Sequence, residues 1–214
     1  MRNNHKKEEI IAEALKLFYE KGFNNTNLKD IAEKCSIKKQ SISYYFGSKT
    51  HLGLAVYNFV SDEIINTFIK KAKEIDENIP ISVICAASMI GIVDYYLEDK
   101  KAFRFFEEFY FSSLINIDIV LCESKRHIYL SEKMDDITMD YIASMYAANG
   151  VLYYFIKGYL QQYGKEEFCR YYITTELSGV GATKDAEELD KIYEKAKELY
   201  LKITPVFMPY FEVR

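Results

Sequence analysis

The amino-acid sequence predicts an all-α protein made of a small N-terminal helix-turn-helix domain and a larger C-terminal helical domain. Of its 214 residues only 3 are Pro and 9 are Gly, whereas Lys, Glu, Ile, Leu and Ala are frequent, a composition typical of helices. We find no alternating run bounded by turn residues that would indicate a strand. Residues 26–52 instead follow the pattern of two short helices separated by a tight turn.

The first of these two short helices has recognisable start signals. Thr26 or Asn27 can supply the side-chain oxygen of an N-cap, and Asp30 follows in the first turn, where the helix dipole favours a carboxylate. Apolar side chains then recur at helical spacing, which predicts one buried face formed by Leu28, Ile31 and Ala32.

The second short helix begins after the small pair Cys35-Ser36, which interrupts the apolar pattern. Ile42 and Phe46 resume helical spacing after Ile37, so the remaining positions face outward. These outward positions are Lys38, Lys39, Gln40, Ser41, Tyr44 and Tyr45. Lys neutralises phosphate, Gln can form two hydrogen bonds with adenine, and Ser and Tyr hydroxyls can bond phosphate oxygens. The pattern therefore predicts a DNA-reading helix, although core packing is the alternative for the two Tyr rings.

In order and spacing, residues 8–60 resemble the N-terminal domain of the TetR family of bacterial transcriptional regulators. Three positions depart from the family pattern: Ser43 stands where a phosphate-contacting Tyr is usual, Tyr45 where His is common, and Gln40 where Gly is frequent. The turn at Cys35-Ser36 also lacks its usual Gly. The elements that match are Ile10, Ile11, Ala14, Leu15, Phe18, Gly22-Phe23, Thr26, Ile31-Ala32, Ile37, Tyr44-Tyr45-Phe46, Ser48-Lys49 and Leu52.

The resemblance implies a DNA-binding domain over residues 1–52 and a helical ligand-binding and dimerisation domain over residues 53–214. It also implies a homodimer that reads a palindromic operator in double-stranded DNA as a repressor and is released by a small-molecule effector. The residues then expected to contact DNA are Thr26, Lys38, Lys39, Gln40, Ser41, Ser43, Tyr44, Tyr45 and Lys49.

The charge distribution agrees with this division. Residues 1–52 contain 10 Lys and Arg and 6 Asp and Glu, a net charge of +4, whereas the remainder contains 18 and 26, a net charge of −8. A positive N-terminal domain is attracted to the phosphates of DNA, and a negative C-terminal domain is repelled by them.

The C-terminal domain divides into further predicted helices. A Pro at residue 80 suits the first turn of a helix, and breaks at residues 116–118, 164 and 178–182 separate later ones. The predicted segments are 51–75, 80–97, one that follows a cap at Asp99, 119–133, one from the acidic pair 135–136 to 163, 165–177, and one from a cap at Thr183 to Pro205.

The last helix has a narrow apolar stripe opposite a charged face. Such a stripe is either part of a core or a seam between two subunits, and the residues alone leave both alternatives open. In the TetR family the last two long helices of each subunit form a four-helix bundle across a two-fold axis, which by resemblance involves residues 139–162 and 185–203 here. The interface so implied is Leu189, Ile192, Tyr193, Ala196, Leu199 and Tyr200.

Aromatic residues make up 15% of the chain, with 19 Tyr and 14 Phe. The resemblance implies an effector pocket in the C-terminal domain, and Tyr rings there would supply apolar area together with a hydroxyl group. The alternative for each ring is simple core packing. The residues expected to line a pocket for an apolar or aromatic effector are Tyr95, Phe106, Phe109, Tyr110, Tyr146 and Tyr154.

Other classes of function are less well supported. The three histidines, His5, His51 and His127, are scattered, and no Glu-x-x-His pair, Gly-rich phosphate loop or Gly-x-Ser-x-Gly motif indicates an enzyme. The cysteines Cys35, Cys85, Cys122 and Cys169 lack zinc or redox spacing. We therefore expect no cofactor and no metal, and reduced buried thiols, although thiol sensing stays open.

The polar start of the chain predicts no secretory signal. The apolar run Ile81–Val93 is too short to cross a bilayer and is closed by Asp94, so we expect a cytoplasmic protein. A second hypothesis is a helical ligand-binding or protein-interaction module that has lost DNA reading, suggested by Ser43 and the unusual turn.

Overall fold

The computed structural model describes residues 2–113, 139–179 and 182–203, and within these ranges it is all-α. The helices are α1 (Arg2–Lys21), α2 (Leu28–Lys34), α3 (Lys39–Phe46), α4 (Lys49–Ile75), α5 (Ile81–Glu98), α6 (Lys100–Ser113), α7 (Met139–Ile156), α8 (Gly164–Gly179) and α9 (Ala186–Ile203), with a short 3-10 helix at Gln161–Tyr163. The predicted fold class is confirmed. The predicted helix at 119–133 lies outside the described residues.

The chain forms two compact units. The first contains residues up to Val60 together with α6, and the second contains Ser61–Glu98 together with α7, α8 and α9. Helix α4 contributes its N-terminal part to the first unit and its C-terminal part to the second. The domain boundary after residue 52 stays a prediction, but the first unit includes a helix that lies about 50 residues further along the chain.

Helix α1 ends at Gly22, whose φ of 87° is left-handed. Its N–H donates to the carbonyl of Phe18 at 2.9 Å, an arrangement that Gly permits without steric cost. Asn27, rather than Thr26, caps α2: the Asn27 side chain accepts from the N–H groups of Lys29 and Asp30, and the Asp30 carboxylate accepts from the Asn27 N–H. This reciprocal pair satisfies backbone donors that a helix start otherwise leaves free.

The core of the first unit is rich in aromatic rings. Phe18 and Phe105 stack with centroids 5.4 Å apart, and Phe23 meets Phe109 edge to face at 5.7 Å. Phe105 and Phe109 come from α6, so this helix completes the core on which α1, α2 and α3 pack. Phe109 was predicted to line an effector pocket; its ring is buried among the aromatic rings of this core, and its role in a pocket stays a prediction.

Helix α6 also makes polar contacts to the end of α1. The Arg104 guanidinium donates to the carbonyls of Tyr19 at 2.8 Å and Glu20 at 3.0 Å. The Glu108 carboxylate accepts from the N–H of Asn24 at 2.7 Å. These contacts satisfy carbonyls and an N–H at the end of α1 that have no partner within the helix.

Helix α5 is the central helix of the second unit. All residues from Val83 to Val93 are buried. The apolar run predicted to be too short for a membrane is only part of this helix of 18 residues, which by length and composition alone could cross one; 72% of it is buried inside the protein. Burial on all sides is typical of a helix at the centre of a core.

The apolar stripe of α9 packs mainly against α5. Tyr193 is 1% exposed and Ala196 is fully buried, while the Tyr200 ring stacks on Phe68 and its hydroxyl donates to Asp94. Side chains that are buried in their own chain leave little surface for a partner, so the structure does not support a subunit interface at this stripe, and the interface stays a prediction. This applies to the whole set Leu189, Ile192, Tyr193, Ala196, Leu199 and Tyr200, each no more than 9% exposed.

Helix α7 ends earlier than predicted. The sequence predicted a continuous helix to residue 163, but α7 stops at Ile156. Gly158, with φ of 90°, turns the chain into the short 3-10 helix, and Gly164 at φ of 74° leads into α8. Two glycines in the left-handed region therefore produce a tight double turn between α7 and α8.

We expect Gly53→Ala to destabilise the first unit. A Cβ at Gly53 would lie 2.6 Å from Cε2 of Phe23 and 2.9 Å from Cδ2 of Phe109, so two core rings would have to move. Overpacking of this kind costs about 1–3 kcal/mol, which exceeds the roughly 0.5–1 kcal/mol that Ala gains over Gly in a helix. The free energy of unfolding in urea measures the difference.

The matched control is Ala55→Gly in the same helix, which removes a methyl group and should cost only about 0.5–1 kcal/mol. A Gly53→Ala protein as stable as the unsubstituted chain would show that the rings have room to spare.

Candidate nucleic-acid interface

The turn between α2 and α3 contains a residue in an unusual conformation. Ser36 has φ of 52°, in the left-handed region that favours Gly, and its side chain is exposed. The turn closes through hydrogen bonds from the N–H of Ile37 to the carbonyl of Ala32 at 2.9 Å and from that of Ser36 to Glu33. The chain therefore keeps the tight turn without the usual Gly, at a conformational cost of about 1 kcal/mol.

Helix α3 is anchored by one side chain. Ile42 is fully buried in the core of the first unit, and Ile37, Tyr45 and Phe46 pack partly against the same core. Because Ile42 is held in the core, the opposite face of α3 is exposed to solvent. The exposed side chains on and just before α3 are Lys38, Lys39, Gln40, Ser43 and Tyr44, and Ser41 is half-buried.

The two tyrosines of α3 occupy different environments. Tyr44 is 80% exposed, whereas Tyr45 is half-buried and meets Tyr44 edge to face with centroids 5.4 Å apart. Tyr44 can therefore reach a partner molecule with most of its ring, and Tyr45 supports it from the core side.

Helix α4 begins directly beyond the end of α3. Gly47 at φ of 77° terminates α3. The Ser48 Oγ accepts from the N–H of His51 at 3.1 Å and lies 2.7 Å from His51 Nδ1. His51 is exposed beside this turn, a position that the sequence patterns did not single out because His51 was considered only for metal and enzyme sites.

Lys49 differs from the other predicted DNA contacts. Its Nζ lies 4.5 Å from the centroid of the Phe23 ring and donates to the carbonyl of Asn24 at 3.3 Å, and partial burial lowers the pKa of its ammonium group. The Lys49 ammonium is thus directed to the loop before α2, away from the exposed row on α3.

Thr26 lies inside the first unit. It is 1% exposed, and its hydroxyl donates to the carbonyls of Gly22 at 2.8 Å and Leu17 at 3.2 Å. The prediction that its side chain contacts DNA is wrong, because the hydroxyl is buried and already bonded to the end of α1.

The aromatic residues predicted to line an effector pocket are divided between the two units. Tyr95 is buried on α5 beside Tyr96, Phe106 is buried on α6 with Tyr110 stacked on it at 5.6 Å, and Tyr154 is exposed on α7. The side chain of Tyr146 lies outside the described residues.

The second unit contains a cavity. It has a volume of about 340 Å³ and lies where α7, the 3-10 helix and α8 meet. In the described part of the chain its walls are Val151, Leu160, Tyr163, Glu167, Phe168 and Tyr171. Of the predicted pocket residues whose side chains the structure describes, none is among these.

The described cysteines are buried free thiols. Burial raises the pKa of Cys35 above its ordinary value and that of Cys169 to about 12. Within the described ranges no group of three or more His, Cys, Asp or Glu side chains is placed to hold a metal ion.

Comparison with known proteins places the N-terminal helices in a family. Residues 10–56 match the model described as "Bacterial regulatory proteins, tetR family". YuxN of Bacillus subtilis (strain 168), an uncharacterized HTH-type transcriptional regulator, is 45% identical over 58 residues, which are 27% of this chain and 20% of YuxN. IcaR of Staphylococcus aureus, the HTH-type negative transcriptional regulator of the biofilm operon icaADBC, is 51% identical over 43 residues, 20% of this chain and 23% of IcaR. The matches thus span about a fifth to a quarter of these curated relatives.

A solved structure resembles the chain over a larger part of its length. The crystal structure of RolR in complex with the ligand resorcinol has a TM-score of 0.53 and 17% sequence identity, covering 91% of this chain and 94% of RolR. At this identity the likeness shows the fold alone.

We expect Ser36→Gly to stabilise the protein by about 1 kcal/mol, because Gly adopts the left-handed conformation without the Cβ clash. The measurement is the midpoint of urea unfolding at constant slope. Ser61→Gly, in the middle of α4, is the matched control and should lose about 0.5–1 kcal/mol. If Ser36→Gly were no more stable than the original chain, the turn would carry no strain.

Proposed function

We propose that this chain, which belongs to the TetR family of bacterial regulatory proteins, is a DNA-binding transcriptional regulator that reads DNA with α3. The observation that carries the proposal is the row of exposed Lys, Gln, Ser and Tyr side chains on a helix held by a buried Ile42. A helix of this width fits the major groove, where amide side chains distinguish bases and Lys side chains neutralise phosphates.

Within this row we assign two roles. Lys38, Lys39 and the hydroxyls of Ser41, Ser43 and Tyr44 contact the backbone, which gives affinity but little sequence preference. Gln40 contacts a base edge. We assign Tyr45 and Lys49 to the edge of the DNA contact. The Tyr45 side chain is half-buried, and the Lys49 ammonium group donates to the Asn24 carbonyl.

The distribution of charge along the chain supports DNA binding by its N-terminal part. The net charge of +4 over residues 1–52 and of −8 over the remainder favours approach of the N-terminal residues to DNA and disfavours approach of the rest of the chain. The contribution of the Lys side chains should therefore weaken steeply with salt.

We further propose a homodimer. One short helix contacts only a few base pairs, whereas two copies related by a two-fold axis read two half-sites roughly 34–36 Å apart in a palindromic operator. Because the α9 stripe is buried, we assign the self-association surface to exposed aromatic residues of the second unit. Tyr154 is 52% and Tyr159 is 67% exposed, and their rings pack edge to face at 5.9 Å.

We further propose that the chain represses transcription and that an effector releases it from DNA. IcaR is named a negative regulator, and a bound dimer can exclude polymerase from a promoter. The RolR structure holds resorcinol, which supports an aromatic or apolar small molecule as the effector. Such a ligand must bind the two conformations of the regulator with different affinity, commonly with a coupling of about 1–3 kcal/mol.

We expect Lys39→Ala and Gln40→Ala to change DNA binding in different ways. Using duplexes that the chain selects from a random-sequence library, Lys39→Ala should weaken binding to all sequences and reduce the salt slope by about one, whereas Gln40→Ala should cost about 1–3 kcal/mol of preference at one base position. Fluorescence anisotropy titrations at several salt concentrations measure both effects.

Lys73→Ala, an exposed Lys of α4 in the second unit, serves as the control and should leave binding unchanged. Absence of any salt-sensitive, sequence-selective binding by the unsubstituted chain would favour the alternative, a helical ligand-binding or interaction module that does not read DNA.

The dimer is tested separately. Sedimentation equilibrium should give twice the chain mass, and replacing both Tyr154 and Tyr159 with Ser should shift the protein to monomer, because exposed aromatic area supplies most of the association energy of such surfaces. Leu201→Ser removes another exposed apolar side chain, on α9, and should leave the dimer intact. Dimers that survive the Tyr double substitution would move the interface to another surface.

A further inference from the structure

The cavity between α7 and α8 has the size and composition of a small-ligand site. Its volume of about 340 Å³ lies within the range of protein ligand pockets. Three of its wall residues, Val151, Leu160 and Phe168, are apolar, and two are tyrosines whose rings are half-exposed: Tyr163 at 54% and Tyr171 at 55%.

The floor of the cavity is formed by stacked aromatic rings. The Phe168 ring is 4% exposed and lies parallel to Phe155 with centroids 3.9 Å apart, and Tyr172 stacks on it at 5.8 Å. Close stacking restricts the movement of these rings, which lowers the entropy that is lost when a ligand binds against them.

Glu167 is the only charged residue among the six that line the cavity. Its carboxylate makes no hydrogen bond or ion pair within the described ranges. The two charged residues that precede it in α8 are both paired. Lys165 donates to Asp94 at 2.6 Å, and Glu166 accepts from Lys197 at 2.6 Å. The first turn of α8 therefore contains two ionised residues that are paired and one, facing the cavity, that is not.

The helix dipole of α8 alone does not distinguish Glu167 from Glu166. The positive end of α8 favours carboxylates in the first turn, which explains Glu166 as well as Glu167. The neighbourhood of two Tyr rings and one Phe ring distinguishes Glu167, since aromatic faces attract cations and a carboxylate beside them adds a full negative charge. Among the wall residues in the described part of the chain there is no Lys or Arg to neutralise that charge.

We propose that this cavity binds an organic ammonium ion. The positive nitrogen lies against the Glu167 carboxylate and the rings of Tyr163 and Tyr171, and the apolar part of the ligand contacts Val151, Leu160 and Phe168. The net charge of −8 over residues 53–214 raises the local concentration of such a cation. Only the regulatory consequence, release from DNA, rests on the proposed function; binding itself does not.

The test uses two ligands of the same size, 2-phenylethylammonium and 2-phenylethanol, with isothermal titration calorimetry on the full chain in the absence of DNA. The ammonium ion should bind roughly tenfold more tightly than the alcohol, and Glu167→Gln should remove this preference. Tyr171→Leu should weaken binding of the ammonium ion more than that of the alcohol.

Glu166→Gln is the matched control, because this carboxylate is adjacent in sequence but pairs with Lys197 outside the cavity wall. It should retain the preference. Circular dichroism melting and sedimentation of each variant verify that fold and self-association are kept. Equal affinity for the two ligands, no binding of either by the unsubstituted chain, or full ammonium binding by Glu167→Gln would each overturn the proposal.

A DNA-binding titration with and without 2-phenylethylammonium separates this proposal from the proposed function. Ammonium binding that depends on Glu167 but leaves DNA affinity unchanged supports the site and rejects its regulatory role. Failure to bind any DNA rejects the proposed function and leaves the calorimetric result to decide on the site.

Discussion

The packing of the first unit depends on one close contact. The rings of Phe23 and Phe109 lie against the backbone of Gly53, where a Cβ would not fit. Phe23 belongs to the loop after α1, Gly53 to α4 and Phe109 to α6, so a single contact region joins three separate segments. Helix α3 packs on the same core through Ile42. The orientation of the exposed row on α3 is therefore determined by packing that involves none of the exposed side chains themselves.

Polar contacts reinforce this packing at one place, the end of α1. Arg104 bonds two terminal carbonyls and Glu108 bonds the N–H of Asn24, while Gly22 leaves room for the Glu108 carboxylate, which a Cβ there would meet at 2.7 Å. The loop that leads into α2 is thus held by side chains from α6. Since carbonyls at a helix end need partners, the Arg104 side chain of α6 supplies them for Tyr19 and Glu20.

Local patterns in the sequence were sufficient for α2 and α3. The cap near Asn27, the apolar positions Ile31 and Ile42 and the turn after Cys35 all depend on neighbours within a few residues. The role of α6 was not accessible in this way, because Arg104 and Glu108 act on residues more than 80 positions earlier. Thr26 was misassigned for the same reason: its hydroxyl is satisfied by carbonyls of α1 that only the folded turn brings near.

In the second unit the sequence patterns were less informative for a different physical reason. Helical spacing identifies the apolar side of α9 but not the surface that covers it, and α5, an apolar helix from elsewhere in the same chain, covers it here. Aromatic composition likewise predicted a pocket but not its walls. The cavity at Glu167 depends on the double turn at Gly158 and Gly164, and the left-handed conformation of these two glycines has no signature in apolar periodicity.

Burial of the described thiols has a consequence for their reactivity. Cysteine reacts with peroxides and electrophiles as the thiolate, and a pKa of about 12 for Cys169 leaves on the order of one molecule in 10⁵ deprotonated at neutral pH. Cys35, adjacent to the turn that positions α3, is also buried with a raised pKa. Both sulfurs are therefore poor nucleophiles at neutral pH, and the thiol beside the turn before α3 is shielded from oxidants.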